Sequence, residues 1–279
     1  MWRIAAIELT KIAARPRSYI GFVAITAIIL IIQIAMLADG ESYISFITQS
    51  MEQTFDVQGK LLNGNLVCFI ILQTLIVQIP LLVALVTGDL ISGEAAMGTI
   101  RLLAAKPVSR TQIVLGKFFA GSIYVALLLM WLAFLALAVS HILFGSGDLI
   151  ILKSNGITIL QAGDLLWRFI GAFGLAFLAL LTVASLSLLL SVFSDNSIGP
   201  IITTMAIVIL FTIIGTMDVP LFDLIKPYLF TTHMIIWRNC FDQVLDKVQI
   251  FKSVAILIGH CAVFIGAALY TFNKKDILS

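Results

Sequence analysis

The chain has 279 residues, of which 61% are hydrophobic and only 11% charged, and its formal net charge is +2. Soluble domains carry about 25% charged residues, so the composition excludes a water-soluble fold and points to a membrane protein. With charge so sparse and so nearly balanced, no nucleic-acid partner is expected.

Cutting the chain at its polar stretches leaves six apolar segments, roughly 19–37, 66–87, 118–144, 169–193, 198–217 and 254–272. Each reaches the ~18–20 residues a helix needs to cross a ~30 Å hydrocarbon core. Ile, Leu, Val, Ala and Phe run through them without the period-two alternation of barrel strands. The first segment is too long for a secretory signal, has no small-residue cleavage site after it and is followed by five more spans. The fold class expected is therefore an all-α membrane protein with six transmembrane helices, one transmembrane domain over 1–279.

Before the first span, residues 1–18 read as an amphipathic helix lying on the inner membrane face. Trp2, Ile4, Ile7 and Ile12 form its apolar stripe, and Arg3, Glu8, Lys11 and Arg15 its wet one; a basic flank that only sets topology is the plainer alternative. The connection after span one carries four carboxylates and is too polar for lipid. Residues 145–164, GSGDLIILKSNGITILQAGD, have Gly and Asn punctuation that predicts a small ordered cap. In the short turn FSDNSIGP, Asp195, Asn196 or Ser197 is placed to cap the next helix, with Pro200 in its first turn. Residues 216–252 are too apolar for a wet loop and too interrupted for a seventh span. Pro220 and Pro227 divide them into what reads as two short re-entrant outer helices, with Tyr228 and Trp237 at headgroup level.

Orientation follows from Lys and Arg in the short loops. With the N-terminus inside, 10 Lys/Arg and 5 Asp/Glu fall on the inner side and 7 and 10 on the outer side. Both termini are then cytoplasmic. Three cysteines without paired spacing argue against a zinc site or a disulfide scaffold.

The charge that the spans avoid collects in GEAAMGTIRLLAAKPVSRTQIVLGK, residues 93–117. Residues 95–105 favour a helix, with Glu94 at its start, where the helix dipole favours a carboxylate, and Lys106 at its end, where it favours a cation. Pro107 stops it. Ser109 to Gln112 fits the S-x-x-Q capping box that opens a new helix. The Gly116–Lys117 pair is not a phosphate loop, because Thr111 stands where the first Gly of G-x-x-x-x-G-K-[ST] belongs and Phe118 follows the lysine. A positive-inside anchor and a docking helix for a cytoplasmic partner both remain open from the residues alone.

The pattern E-x-x-x-G-T-I-R-L-L-x-x-x-P-V-S-R-x-x-I-x-x-G-K, over Glu94, Gly98, Thr99, Arg101, Leu102, Leu103, Pro107, Val108, Ser109, Arg110, Ile113, Gly116 and Lys117, resembles the inner segment of type-two ABC exporter permeases. The subgroup it resembles includes permeases of copper-enzyme maturation and gliding-motility systems. The closing Phe272, Lys274, Lys275 and Asp276 look similar too. The resemblance implies a coupling helix over 93–106 between spans two and three that fits a cleft in a separate ATPase subunit. It implies a second contact at Asp195 and Asn196. It further implies a complex of two permease chains, identical or closely related, with two ATPases. ATP and Mg²⁺ would then sit on the ATPase, with no cofactor, metal or catalytic residue on this chain, which would lie in a bacterial or archaeal plasma membrane and lean toward export.

Polar groups inside spans are costly and usually face a wet cavity or a protein interior. On that ground Gln33, Gln73, Gln78, His260 and, in the outer segment, His233 are candidates for a cargo path. No Asp, Glu, Lys or Arg sits near a predicted midplane, which argues against a proton relay. The four Ser/Thr of span four (Thr182, Ser185, Ser187, Ser191) are expected to bond their own backbone. Sparse amides in an apolar path suit an amphipathic, lipid-like or hydrophobic peptide cargo, or delivery of a species to a periplasmic or extracellular partner. H-E-x-x-H and a glycine-flanked Ser nucleophile are both absent, which argues against an intramembrane enzyme. A secondary transporter or channel is the main rival, weakened by the lack of helices visibly broken in matching halves.

Overall fold

A computed structural model describes residues 2–52, 61–75, 78–99, 108–153 and 156–275. The chain opens with α1 (Trp2–Ala14), turns at Arg15 and enters α2 (Pro16–Glu52), whose first residue is the proline that a helix start tolerates. α2 continues well past the expected end of span one and bends at Asp39, where φ is −142° and ψ 22°. Where the second span was expected stand two helices, α3 (Gly64–Thr74) and α4 (Gln78–Thr87), with 57° between them. A single straight helix was expected over 66–87. Pro80 explains the difference, because it lacks the N–H that would close the ladder back across the break and its ring crowds the preceding turn. The short α5 (Asp89–Ala96) follows.

The third span is α6 (Arg110–Ala133), a π-helical stretch (Phe134–Val139) and α7 (Ser140–Phe144), ended by Gly145 at φ +78°. The cap predicted at 145–164 is an antiparallel hairpin, β1 (Leu149–Lys153) with β2 (Gly156–Leu160), and among the described residues these are the only strands. The fourth and fifth spans are α8 (Ala162–Phe193) and α9 (Ile198–Thr216), and the last is α12 (Lys247–Lys274). Between the last two, four short pieces replace the two re-entrant helices expected: α10 (Pro220–Asp223), a 3₁₀ turn (Lys226–Tyr228), α11 (Phe230–Met234) and a short 3₁₀ helix (Ile236–Phe241). Trp237, placed by the sequence at headgroup level, is buried there against Phe69 and Phe241, whereas Tyr228 is exposed.

Among the described residues, five helices are long and apolar enough to cross a membrane, and six if α3 and α4 count as one span. Several helices of this length and hydropathy are the build of a multi-pass membrane protein. α8 lies at the centre: 61% of its most apolar window is buried, against 11–39% for the other long helices. Their remaining apolar faces, such as Ile31 and Ile34 on α2 and Val263 on α12, point outward, as a lipid solvent requires.

Candidate functional site

One end of the bundle gathers α1, α5, the start of α6, the 194–197 turn and the end of α12. Here the sequence places most of its proposed site, and here most of the charge is paired. α1 turns its Ala5, Glu8 and Ile12 stripe inward, and Glu8 is only 2% exposed. The face expected to be wet is therefore in part the packed one, while Trp2 and Ile7 point outward. Gly116 makes the approach possible: a Cβ there would come within 2.7 Å of Ile4 Cγ2.

Beneath α1 lies Lys117, the most buried cation of the described chain at 0% exposure. Its Nζ is 2.7 Å from Glu8 Oε2 and 2.9 Å from Glu94 Oε2. Lys11 Nζ lies 2.7 Å from Glu8 Oε1 and 2.7 Å from Glu94 Oε1. Two ammonium groups and two carboxylates thus form a closed, neutral ring that joins three elements. Burial alone pushes the Glu94 carboxyl up, but the charge of Lys117 and the hydrogen bond from Lys11 outweigh it and hold the carboxyl below its ordinary value. Burial likewise draws Lys11 down, yet its bonds to Glu8 and Glu94 leave it raised. The cost of desolvating these charges is offset by their mutual pairing.

This ring changes the role of two predicted residues. Glu94 and Lys117 face inward and do not present themselves to a partner. Glu94 also stands near the C-terminal end of α5, and the carboxylate in that helix's first turn is Asp89. α5 ends at Ala96, and Gly98 takes φ +69°, the left-handed conformation that ends helices. The single helix expected over 93–106 therefore does not begin at Glu94. Thr99 Oγ1 donates to Glu94 O across this turn at 3.3 Å. Arg101 and Pro107, with the rest of 100–107, lie outside the described residues.

Around the ring, Asp89 pairs with Arg15 and Arg17. Gly88 at the start of α5 offers no side-chain cap, and the cap comes from another helix. Ser191 Oγ of α8 accepts from Ile91 N at 3.1 Å and Ser92 N at 2.8 Å. Three of the four span-four hydroxyls thus reach beyond their own helix, since Ser187 also donates to Ala84 O and Thr182 to Leu257 O. Ser109 and Gln112 form the reciprocal capping box at the start of α6. The next residue, Arg110, donates through Nη1 to the carbonyls of Phe272, Asn273 and Lys275, closing the end of α12. Lys275 reaches on to Asp195 at 2.9 Å and to Val192 O. Asn196 Oδ1 accepts from Ile198 N at the start of α9.

The five candidate path residues are not assembled around one cavity. Gln33 is buried between α2 and the π-helical stretch, where its Nε2 donates to Leu135 O and Ser140 Oγ at 3.0 Å each; it ties two spans together. His233 is held on both sides, by Ser253 Oγ at Nδ1 and Pro227 O at Nε2. The carbonyl can only accept, so Nε2 carries a proton. His260 bonds Ile256 O on its own helix and packs against Phe230 and Phe264. Gln73 is half-buried and Gln78 exposed at the break in the second span. Beside that break opens an apolar groove of about 200 Å³, lined by Pro80, Val208, Ile209, Thr212, Thr231 and Met234. The Thr231 hydroxyl is buried there with no hydrogen-bond partner. Among the described residues, no three His, Cys, Asp or Glu side chains converge as a metal site.

Glu8, Lys11 and Ser191 were absent from the sequence-based site. The Glu8–Lys11 spacing of three on a helix was the available signal; for Ser191 there was none, since its partners are remote in sequence.

The chain is 31% identical over 158 residues to the ABC transporter permease protein NatB of Bacillus subtilis (strain 168), a match covering 54% of this chain and 38% of that protein. The matched stretch thus spans well under two thirds of the relative. The sequence profile of the ABC-2 family transporter proteins matches residues 2–277. On a match of that extent, over the same helices that build the charged end of the bundle, the chain belongs to the ABC-2 transporter family.

Proposed function

We propose that this chain is the membrane-spanning permease subunit of an ABC transporter, in which a separate ATPase drives movement of an amphipathic, lipid-like or peptide cargo, with export the favoured direction. On this reading α1 is an interfacial helix, α3 and α4 form one broken span of six, both termini are cytoplasmic and two permease chains pair with two ATPases. ATP and Mg²⁺ belong to the ATPase, and this chain does no covalent chemistry.

The observation that carries the reading is the ring of Glu8, Lys11, Glu94 and Lys117. It sits between the expected second and third spans, at the end of the bundle that holds α1 and the end of α12. A load applied to the following segment, which holds Arg101 and Pro107, passes through the ring into α1 and α6 together. Glu94 and Lys117 are then positioning residues. Gly98, Thr99, Ser109 and Arg110 shape the two ends of the segment, and Asp195 and Asn196 form the second, exposed contact. The groove beside Pro80 is the best-supported stretch of cargo path, because it joins an apolar lining to an unsatisfied hydroxyl.

A secondary transporter or channel not driven by ATP is the second reading, and the broken second span favours it, since such carriers use interrupted helices at their sites. Purification from the native membrane in mild detergent separates the two. The permease reading expects co-elution with an ATPase in stoichiometric amount and loss of that co-elution in Arg101→Glu with the fold intact. A chain that always elutes without an ATPase overturns it.

A further inference from the structure

The outer hairpin is apolar on both faces. Its register pairs Leu149 with Leu160 and Ile151 with Thr158 on the side that packs inward, and Ile150 with Ile159 on the other. A hairpin with one face in water alternates apolar with polar residues. Here the outward positions are aliphatic instead, and Ile157 and Ile159 are 38% and 56% exposed. The base is held firmly. Gly64 N donates to Gly145 O, Asn65 Nδ2 to Gly147 O, Asn63 Nδ2 to Asp148 O, and Ala162 N to Asp148 Oδ1, each at 2.8 Å.

We infer that this outward face is a lipid-docking surface, seated at the headgroup–acyl boundary of the outer leaflet. Two observations choose lipid as the occupant. The first is continuity: the hairpin leaves the third span at Phe144 and rejoins the fourth at Ala162, and the flanking surface of those spans, Ile142, Leu166 and Trp167, is already turned toward the bilayer. Trp167, 48% exposed, is the amphipathic ring expected at that depth. The second is area. Two five-residue strands offer a face of roughly 17 by 10 Å, several-fold short of the ~800 Å² that each partner gives to a stable protein interface. The open strand edges set the depth, because unpaired N–H and C=O groups are too costly in hydrocarbon but are satisfied among headgroups and water.

The test is fluorescence quenching of the full chain in lipid nanodiscs. An environment-sensitive NBD probe is attached at Ile159→Cys or, independently, at Ile157→Cys, with Cys68, Cys240 and Cys261 replaced by alanine. A probe at Ile142→Cys is the lipid-facing reference, and monodisperse elution controls for folding. The inference expects blue-shifted emission at both hairpin positions, quenched by lipids carrying a nitroxide near the headgroup to the same extent as the reference, with little quenching by iodide. Strong iodide quenching at both positions would place the face in water and overturn the proposal. Blue-shifted emission that neither quencher reaches would mean that protein, a second copy or a partner, covers the face, and overturns it as well.

Discussion

At the scale of the residue, Lys117 decides most. Lys117, Glu8 and Glu94 are buried, so removing the lysine leaves carboxylates uncompensated, at a cost of about 3–5 kcal/mol. Lys117→Met is therefore expected to lower the thermal unfolding midpoint of the solubilised protein sharply. Adding Glu8→Gln should recover much of the loss, because the Lys11–Glu94 pair is then left balanced. If Lys117→Met unfolds at the wild-type midpoint, the ring contributes nothing. The pH dependence has a fixed sign. Glu94 is held below its ordinary 4.5, so its stabilisation is present above that value and fades as pH falls through the lower folded value. Lys11 is raised above 10.5, so its share is complete below that value and fades as pH climbs past the raised one. Lys11 is partly exposed, which screens its share. The difference in midpoint between wild type and Glu94→Gln should accordingly stay flat from about pH 5 to 10 and shrink on the acid side; a steady change across neutrality would contradict it. Sequence reading found Glu94 and Lys117 as anomalies of charge in an apolar setting. It aimed them outward because the compensating Glu8 lies 109 residues from Lys117, and no local pattern reports such a pairing.

At the scale of the element, glycines separate tolerable contacts from intolerable ones. A Cβ at Gly64 would stand 2.8 Å from His141 Cα, 2.8 Å from Ser140 O and 2.9 Å from Gly145 O, all backbone. A Cβ at Gly116 meets chiefly the Ile4 side chain, with the nearest backbone atom, Ala5 N, 3.8 Å away. Gly174 and Gly266 meet nothing within 4 Å. Alanine at Gly64 should cost the most, toward or beyond the upper end of the ~1–3 kcal/mol typical of overpacking. Alanine at Gly116 should cost less, and at Gly174 or Gly266 should be neutral or stabilising by up to ~1 kcal/mol. Unfolding midpoints of the four variants check the order, and a Gly64 variant as stable as Gly174→Ala would refute it. The same contrast explains what was legible. Five of the long helices match expected spans because hydropathy over some 20 residues is a local property. The bend at Pro80, the extension of α2 past Asp39 and the short pieces of 220–241 depend on packing and were misjudged. The hairpin was foreseen only as an ordered cap, since its strands are short and apolar on both faces.

At the scale of the molecule, the two contacts proposed for a partner differ in strength, and that difference sets where the fold can flex. The ring beneath α1 is buried and closed. The link from Lys275 to Asp195 is an ion pair between side chains 28% and 77% exposed, of a kind worth about 0–1 kcal/mol. Under load the weaker link yields first, so α1, α5 and the start of α6 should travel as one body while the turn after α8 moves relative to them. Spin labels at Ala13→Cys and Thr111→Cys report inside that body, and a pair at Thr111→Cys and Phe193→Cys reports across the exposed link, all three positions being exposed on the bundle surface. In a complex with the ATPase, the first distance should be the same without nucleotide and with ATP trapped, and the second should change. A changing first distance would mean that the buried ring opens during the cycle, so that α1 is a separate moving part. If neither distance changes, this end of the bundle is a passive support and the proposed cargo movement is driven from elsewhere.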